Sequence, residues 1–397
     1  MPSRYTSVWC MLLVWLSTTC AGPTPTPLSS PAPAPTSTPL PVPSPASASP
    51  IMPNLLVQVQ GKVEVWREKG SSFVPVAFGA TVQPGDTLRV DAGGVAAVFC
   101  GDETLWDDSP RSLAAGGEYG VPCLPGAPPR SAPEIARLRG EGVTRTSEIP
   151  YVLSPRSGWL LEERPTLRWH ALTGAKVYTV RLVSDDGQQR PAVTVPSSSL
   201  AAGEIELPYP VSWPSLEAGG PSYQLVVDGG GRCSDEGGTF GQGFSLLAPA
   251  QAGRIRSQVE RLGRRLASEP ARTLLLAELY LSYGLRCEAA AMLATLPDGG
   301  QVGAIQQVLG QTYLDMGLFG EAETAFGRAL VGAAGLPEAQ AAAHYGLGLA
   351  ACGRWDDAAA RAQWRQAETL YQELSMAARE QEVAGWLADA SARCSHR

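Results

Sequence analysis

Histidine is nearly missing from this chain: His170, His344 and His396 are the only three in 397 residues, and they lie far apart. Imidazole is the usual proton carrier near neutral pH and a common zinc ligand, so neither a histidine acid–base site nor a zinc cluster can be assembled from local spacing. A G-x-S-x-G elbow, a P-loop, an H-E-x-x-H helix and a compact Cys–His pair are lacking too. An enzyme is left only the route of a carboxylate pair brought together from distant loops. No catalytic residue, cofactor or metal site is therefore assigned. Lysine is as scarce, with Lys62, Lys69 and Lys176 alone, and the formal net charge is −7. Lacking a basic face to neutralise phosphates, the chain is not expected to take nucleic acid as a partner. None of the eight cysteines forms a C-x-x-C pair.

What is present begins at the N-terminus. Arg4 is the only charge before Lys62, and residues 8–16 (VWCMLLVWL) are apolar but too short to cross a hydrocarbon layer of about 30 Å as a helix. The run reads as the core of an export signal. Ser17, Thr18 and Thr19 are small where a signal peptidase needs room, and Cys20 follows. Residues 1–20 resemble a bacterial lipoprotein signal, which implies a lipid on Cys20, a membrane anchor and a place in the cell envelope outside the cytoplasm. Ordinary secretion with cleavage near Ala21 and an uncleaved anchor are the alternatives. Residues 22–53 hold twelve prolines among Thr, Ser and Ala without a charge. Such a composition cannot bury enough apolar surface to offset chain entropy, so residues 21–54 read as an unfolded tether. At about 3.1 Å per residue its reach is on the order of 100 Å.

Residues 55–125 alternate with period two: Val57 and Val59, Val63 and Val65, Val74 and Val76, then residues 87–90 and 95–99 between Pro-Gly-Asp and Gly-Gly turns. Asp86 reads as a turn residue. The elements Gly61-Lys62-Val63-Glu64-Val65, Val74-Pro75-Val76 before Gly79, and Pro84-Gly85-Asp86-Thr87-Leu88-Arg89 resemble a FecR-type domain. The resemblance implies a small all-β extracytoplasmic module, often linked to envelope signalling, with no catalytic residue. Asp102, Glu103, Asp107 and Asp108 form either a solvated acidic turn or a calcium site. Cys100 and Cys123 are expected to be a disulfide, two buried free thiols being the alternative.

Residues 126–147 are rich in Pro, Gly and Arg and read as a linker. A second β unit spans 148–249, with strands over 165–169, 175–183, 205–207, 223–227 and 243–247. The Pro-Thr-Leu-Arg-Trp, A-x-x-Y-x-V-x-L and S-Y-Q-L-V-V strands resemble a fibronectin type III or immunoglobulin-like sandwich, which implies a core position for Trp169. Trp159 and Trp213 read as packing residues or a sugar platform, and residues 228–231 as a hairpin turn.

After Pro249 the period changes to about 3.6 residues. Aligning Gly284 with Gly317 and Gly353 places Tyr280, Tyr313 and Leu349 four residues earlier, and Ala289, Ala322 and Ala358 five later. Residues 307–329 (QVLGQTYLDMGLFGEAETAFGRA), with Gly310, Tyr313, Gly317, Ala322, Phe326 and Ala329, and residues 343–359, with Gly346, Gly353 and Ala358, resemble tetratricopeptide repeats. That implies an all-α solenoid over 252–397 whose concave face binds a protein or peptide. Packing of the repeats on the sandwich, or self-association, is the alternative. Arg254, Arg256, Arg261, Arg264 and Arg265 read as a solvated helix face or a contact for anionic lipid or a wall polymer.

The expected architecture is thus multidomain β plus α. The expected function is a non-catalytic, membrane-tethered adaptor for protein–protein interaction, with binding of cell-wall glycan or polysaccharide, or an accessory part in envelope signalling, as alternatives.

Overall fold

The computed structural model describes residues 51–68, 70–128, 130, 132–133, 135, 149–196, 203–234, 243–266, 268–295 and 302–394. Cys20, the leader, the spacer up to residue 50 and most of the linker lie outside the described residues, and the expectations for them are untouched by it.

The first β unit comprises β1 (Leu55–Gln60), β2 (Val63–Trp66), β3 (Phe73–Pro75), β4 (Thr87–Val90), β5 (Val95–Phe99), β6 (Arg111–Leu113) and β7 (Gly117–Gly120). Two antiparallel sheets, ordered β1-β5-β6 and β3-β2-β4-β7, enclose Leu56, Val63, Val65, Leu88, Val90, Ala96 and Val98. Alternation drives this arrangement, because a period of two puts one apolar face of each strand inward. Cys100 and Cys123 are joined by a disulfide. Residues 51–54, expected as the end of the tether, instead belong to the fold. Met52 and Asn54 are fully buried, and Asn54 accepts from the Gly101 N–H at 2.8 Å and donates to the Leu124 carbonyl at 3.0 Å. A buried amide with its hydrogen bonds met fixes the chain there, which composition alone could not show.

The second β unit holds β8 (Tyr151–Ser154), β9 (Gly158–Leu160), β10 (Leu167–His170), β11 (Val177–Ser184), β12 (Val193–Pro196), β13 (Glu204–Leu207), β14 (Tyr223–Gly229), β15 (Arg232–Cys233) and β16 (Phe244–Leu246). One sheet is ordered β13-β10-β8, and the other β12-β11-β14-β16-β9 with β15 on β14. Trp169 is fully buried between them, 5.7 Å from the Tyr178 ring and edge-on to it. Gly230 and Gly231 turn the β14–β15 hairpin with φ of 65° and 80°, positive values that cost glycine nothing. Trp213 is buried, and its indole N–H donates to the Pro191 carbonyl, so it is a packing residue.

Helices follow: α1 (Pro249–Gly263), α2 (Glu269–Ser282), α3 (Arg286–Ala294), α4 (Val302–Asp315), α5 (Phe319–Gly332), α6 (Pro337–Gly353), α7 (Asp357–Glu373) and α8 (Ala377–Cys394). Consecutive helices pack against each other along this order. Phe326 of α5 lies where a Cβ on Gly310 or Gly346 would come within 2.8 or 2.5 Å of its ring, so both glycines are needed to let three helices close on one aromatic side chain.

The third hairpin corrects the alignment. Gly284 and Gly317 turn with φ of 73° and 71°, but the residue in that conformation after α6 is Trp355, at 65°, not Gly353. Helix α6 runs two residues further than the spacing predicts. Ala358 is accordingly exposed, and Ala360, five after Trp355, is the buried small residue. The buried Trp364 takes the place that Phe326 holds in the preceding hairpin, against Gly348. Gly353 serves packing instead, since a Cβ there would sit 2.2 Å from the Phe319 ring. A disulfide joins Cys352 to Cys394, tying α6 to α8.

These regions do not behave as separate beads. One apolar cluster unites Leu55, Phe78, Phe99 and Trp106 of the first unit, Leu153, Leu161 and Leu247 of the second, and residues of α1 to α5.

Candidate functional site

A cavity of about 490 Å³ lies between the first β unit and the inner face of the helices. This falls within the range of roughly 300–1,000 Å³ usual for ligand pockets. Its helical wall combines the small residues Gly303, Ala304, Ala329, Gly332, Ala333, Ala339 and Ala342 with Leu281, Gln307, Val308, Gln311 and Leu336. Opposite stand Leu55, Val59 and residues 75–81. That last segment is pressed onto α4: Gly79 has φ +80°, and a Cβ on it would lie 2.3 Å from the Ala304 Cβ. The inner face of the helical array is therefore not empty. The first β unit covers part of it, whereas the sequence left only the sandwich as an internal partner for the repeats.

Arg67, just beyond β2, bridges the two sides. Its Nη1 donates to Asp86 Oδ2 at 2.7 Å and to the Thr81 carbonyl at 2.9 Å, and Nη2 donates to both oxygens of Glu338 at 2.7 and 2.9 Å. Burial opposes the Arg67 charge, but Glu338 and Asp86 outweigh it and hold the guanidinium above its ordinary pKa. Asp86 also accepts the Gln83 N–H at 2.9 Å, so it is the turn residue the sequence implies and an ion-pair partner as well. Arg130 forms a second pair with Glu278, whose carboxyl is pushed up by burial against the pull of Arg130.

At the α7–α8 end, the Tyr345 hydroxyl donates to Glu382 Oε1 and Arg379 Nη1 to Glu382 Oε2, each at 2.7 Å. Tyr371 lines the cavity at 3% exposure, and its hydroxyl makes no hydrogen bond among the described residues. Burial holds both phenols well above the usual tyrosine range, so both keep their protons as donors.

The sandwich meets the helices differently. Leu161 N–H donates to Glu288 Oε1 at 2.7 Å, Arg286 Nη1 to the Ser157 carbonyl at 2.9 Å, and Trp159 N–H to the Gly284 carbonyl at 3.2 Å. The Tyr151 hydroxyl donates to the Gly317 carbonyl, and His170 Nε2 pairs with Glu321. Burial raises the Glu288 carboxyl to about 7, and pushes the Cys287 thiol, which donates to the Arg156 carbonyl, up to about 11. Desolvation, not a reactive setting, dominates the cysteine.

Two charged sequence clusters turn out to face each other. Glu103 accepts from Arg261 and Gln258, Asp107 from Arg265, while Asp102 caps the short helical turn Glu103–Asp108. Arg256 donates to the Leu161 carbonyl and Arg264 to Glu260. These pairings account for much of both clusters. Among the described residues, no group of three or more His, Cys, Asp or Glu could hold a metal ion.

Of the expected repeat residues, only Ala329 lines the cavity. Gly310, Ala322, Phe326 and Gly346 pack helix against helix, while Gly317 faces the sandwich. Arg67, Glu338, Tyr371 and Arg379, which give the cleft part of its polar chemistry, were not singled out: no local spacing links Arg67 to Glu338, 271 positions away, and Tyr371 and Arg379 are not among the repeat-motif residues. No protein-family model matches this chain, and no curated protein does.

Proposed function

We propose that this chain is a non-catalytic adaptor of the cell envelope that binds a protein partner in the cleft between its helices and its first β unit. In this reading Cys20 carries the lipid, the proline-rich segment is the tether, the first β unit is FecR-like, the second is a fibronectin type III or immunoglobulin-like spacer, and the helices are tetratricopeptide repeats. The observation that carries it is the cleft itself: a largely apolar wall from several helices, rich in glycine and alanine, opened to about 490 Å³ and edged by arginine, glutamate and tyrosine. Ligand sites commonly combine an apolar lining with a few convergent polar groups in this way. The test is affinity capture from envelope extracts with the wild-type chain and with Ala339→Trp, which plugs the cleft from an exposed position on its helical wall. A partner retained by the wild type and lost by the plugged variant supports the reading. Equal capture by both chains counts against the cleft as the binding site.

A further inference from the structure

We infer that the contact of the sandwich with the helices is an acid-tightened latch: closing it holds one proton at Glu288 and one at the His170–Glu321 pair, so docking weakens as the surroundings turn alkaline. The inference stands apart from the adaptor reading and concerns how the second β unit is seated.

Two consecutive helical hairpins present the same device to the sandwich. Gly284 and Gly317 both turn with positive φ, and each is followed by a leucine and, four residues on, by a glutamate in the first turn of the next helix, Glu288 in α3 and Glu321 in α5. Both turn carbonyls accept from the sandwich, Gly284 from the Trp159 N–H and Gly317 from the Tyr151 hydroxyl. Each glutamate commits Oε1 across the junction, Glu288 to the Leu161 N–H and Glu321 to His170 Nε2, and keeps Oε2 buried without a hydrogen-bond partner among the described residues. The third hairpin, with Ala359 four residues after Trp355, does not carry the device.

A buried carboxylate short of donors resists charge unless a cation meets it. The two sites answer this by different routes, and both consume a proton. No cation pairs with Glu288 among the described residues: Glu162 of the sandwich adds repulsion, the Cys287 thiol and the Tyr280 phenol of α2 are uncharged, and Arg256 of α1, Arg156 and Arg286 donate to the carbonyls of Leu161, Val152 and Ser157. Burial therefore lifts the Glu288 carboxyl to about 7, and the closed junction holds it protonated below that pH. At the other site the proton sits on the imidazole and makes the cation that Glu321 meets. The hydrogen bond from Glu321 outweighs burial and raises His170 above 6.5; Glu204 of β13 adds to this, and Arg168, which pairs with Glu204 and Glu206, opposes it. The nearby phenols of Tyr151 and of Tyr313 on α4 keep their protons through burial. In both cases the closed state keeps a proton that the open state gives up at lower pH. Support for closure is therefore complete in acid and fades as pH rises through about 7 for Glu288 and through the raised value for His170.

The experiment is amide hydrogen exchange in the full chain at pH 6 and pH 8, corrected for the chemical rate of exchange and read at Trp159 and Leu161, whose N–H bonds cross the junction. Protection there should fall about tenfold through Glu288 alone, with His170 adding to the fall, while amides of the β2–β4 ladder stay constant. Glu288→Gln should leave only the part owed to His170, and Glu288→Gln with His170→Gln should leave none. Equal wild-type protection at the two pH values overturns the inference and needs no variant to fold. The same fall in the double variant, or an equal fall in the β2–β4 ladder, overturns it as well.

Discussion

The helices meet the two β units through junctions that share one apolar cluster but differ in their polar bonds. Toward the first unit Phe78 and Trp106 are buried in that cluster, and the polar contacts are ion pairs between side chains. Toward the second, Leu153, Leu161 and Leu247 join the same cluster, and hydrogen bonds to backbone groups at Ser157, Trp159, Leu161 and Gly317 are added. Directional bonds fix a separation and an angle, while apolar burial rewards area without dictating shape. The cleft lies at the junction whose chemistry tolerates a gap. The sandwich, by contrast, is held against the helix turns by these directional bonds.

The largest effect that would sharpen this contrast is Trp106→Ala. The indole is fully buried, with the Arg261 guanidinium 5.0 Å from its ring centre. Its removal should cost about 3–5 kcal/mol by denaturant unfolding, and should loosen α1 from the first β unit while leaving the sandwich contacts intact. Loss of protection from hydrogen exchange at both junctions equally would show that they are one cooperative unit.

Glu288→Gln comes next. The Glu288 carboxyl titrates at about 7 in the fold against 4.5 for an ordinary glutamate. Its contribution to stability is therefore full below pH 4.5 and is lost as pH rises through about 7. Glutamine keeps an acceptor for the Leu161 N–H without the buried charge, so the variant should be more stable than the wild type at pH 8 by about 3 kcal/mol and equal to it at pH 4. Parallel stability curves across this range would refute the assignment.

His170→Gln should have the smallest effect. The Glu321 hydrogen bond raises the His170 pKa above 6.5, so its contribution is full below pH 6.5 and fades as pH rises through the raised value. Because the pair is partly exposed to solvent, the loss at pH 6 should stay below about 1 kcal/mol, measured by the shift in unfolding midpoint. A larger loss would mean that this polar junction is a main source of stability.

Strands and helices were legible in the sequence because each depends on a local period. Val63 and Val65 face inward in β2 as alternation implies, and the turns at Gly284 and Gly317 fall where the repeat spacing puts them. The short strands β6 and β7 were missed, since three or four residues such as Arg111–Leu113 carry too few alternations to stand out. The third hairpin slipped because Gly353 mimics the turn glycine, while the left-handed residue is Trp355, a type seldom found in that conformation. The cleft was not legible at all. Arg67 and Glu338 are 271 residues apart, and nothing in the neighbourhood of either announces the other. The acidic cluster near Glu103 and the arginines of α1 were each visible, but only folding reveals that they answer one another.

The bond between Cys352 and Cys394 spans 42 residues, a closure worth roughly 4 kcal/mol in the chain-entropy description. It clamps α8, and α8 carries Arg379. A thiol reductant should therefore fray the last helix first and loosen the α7–α8 end of the cleft while the sandwich stays seated. The shape of the cleft is coupled in this way to the redox state of the surroundings: that end is clamped only where these two cysteines stay oxidised.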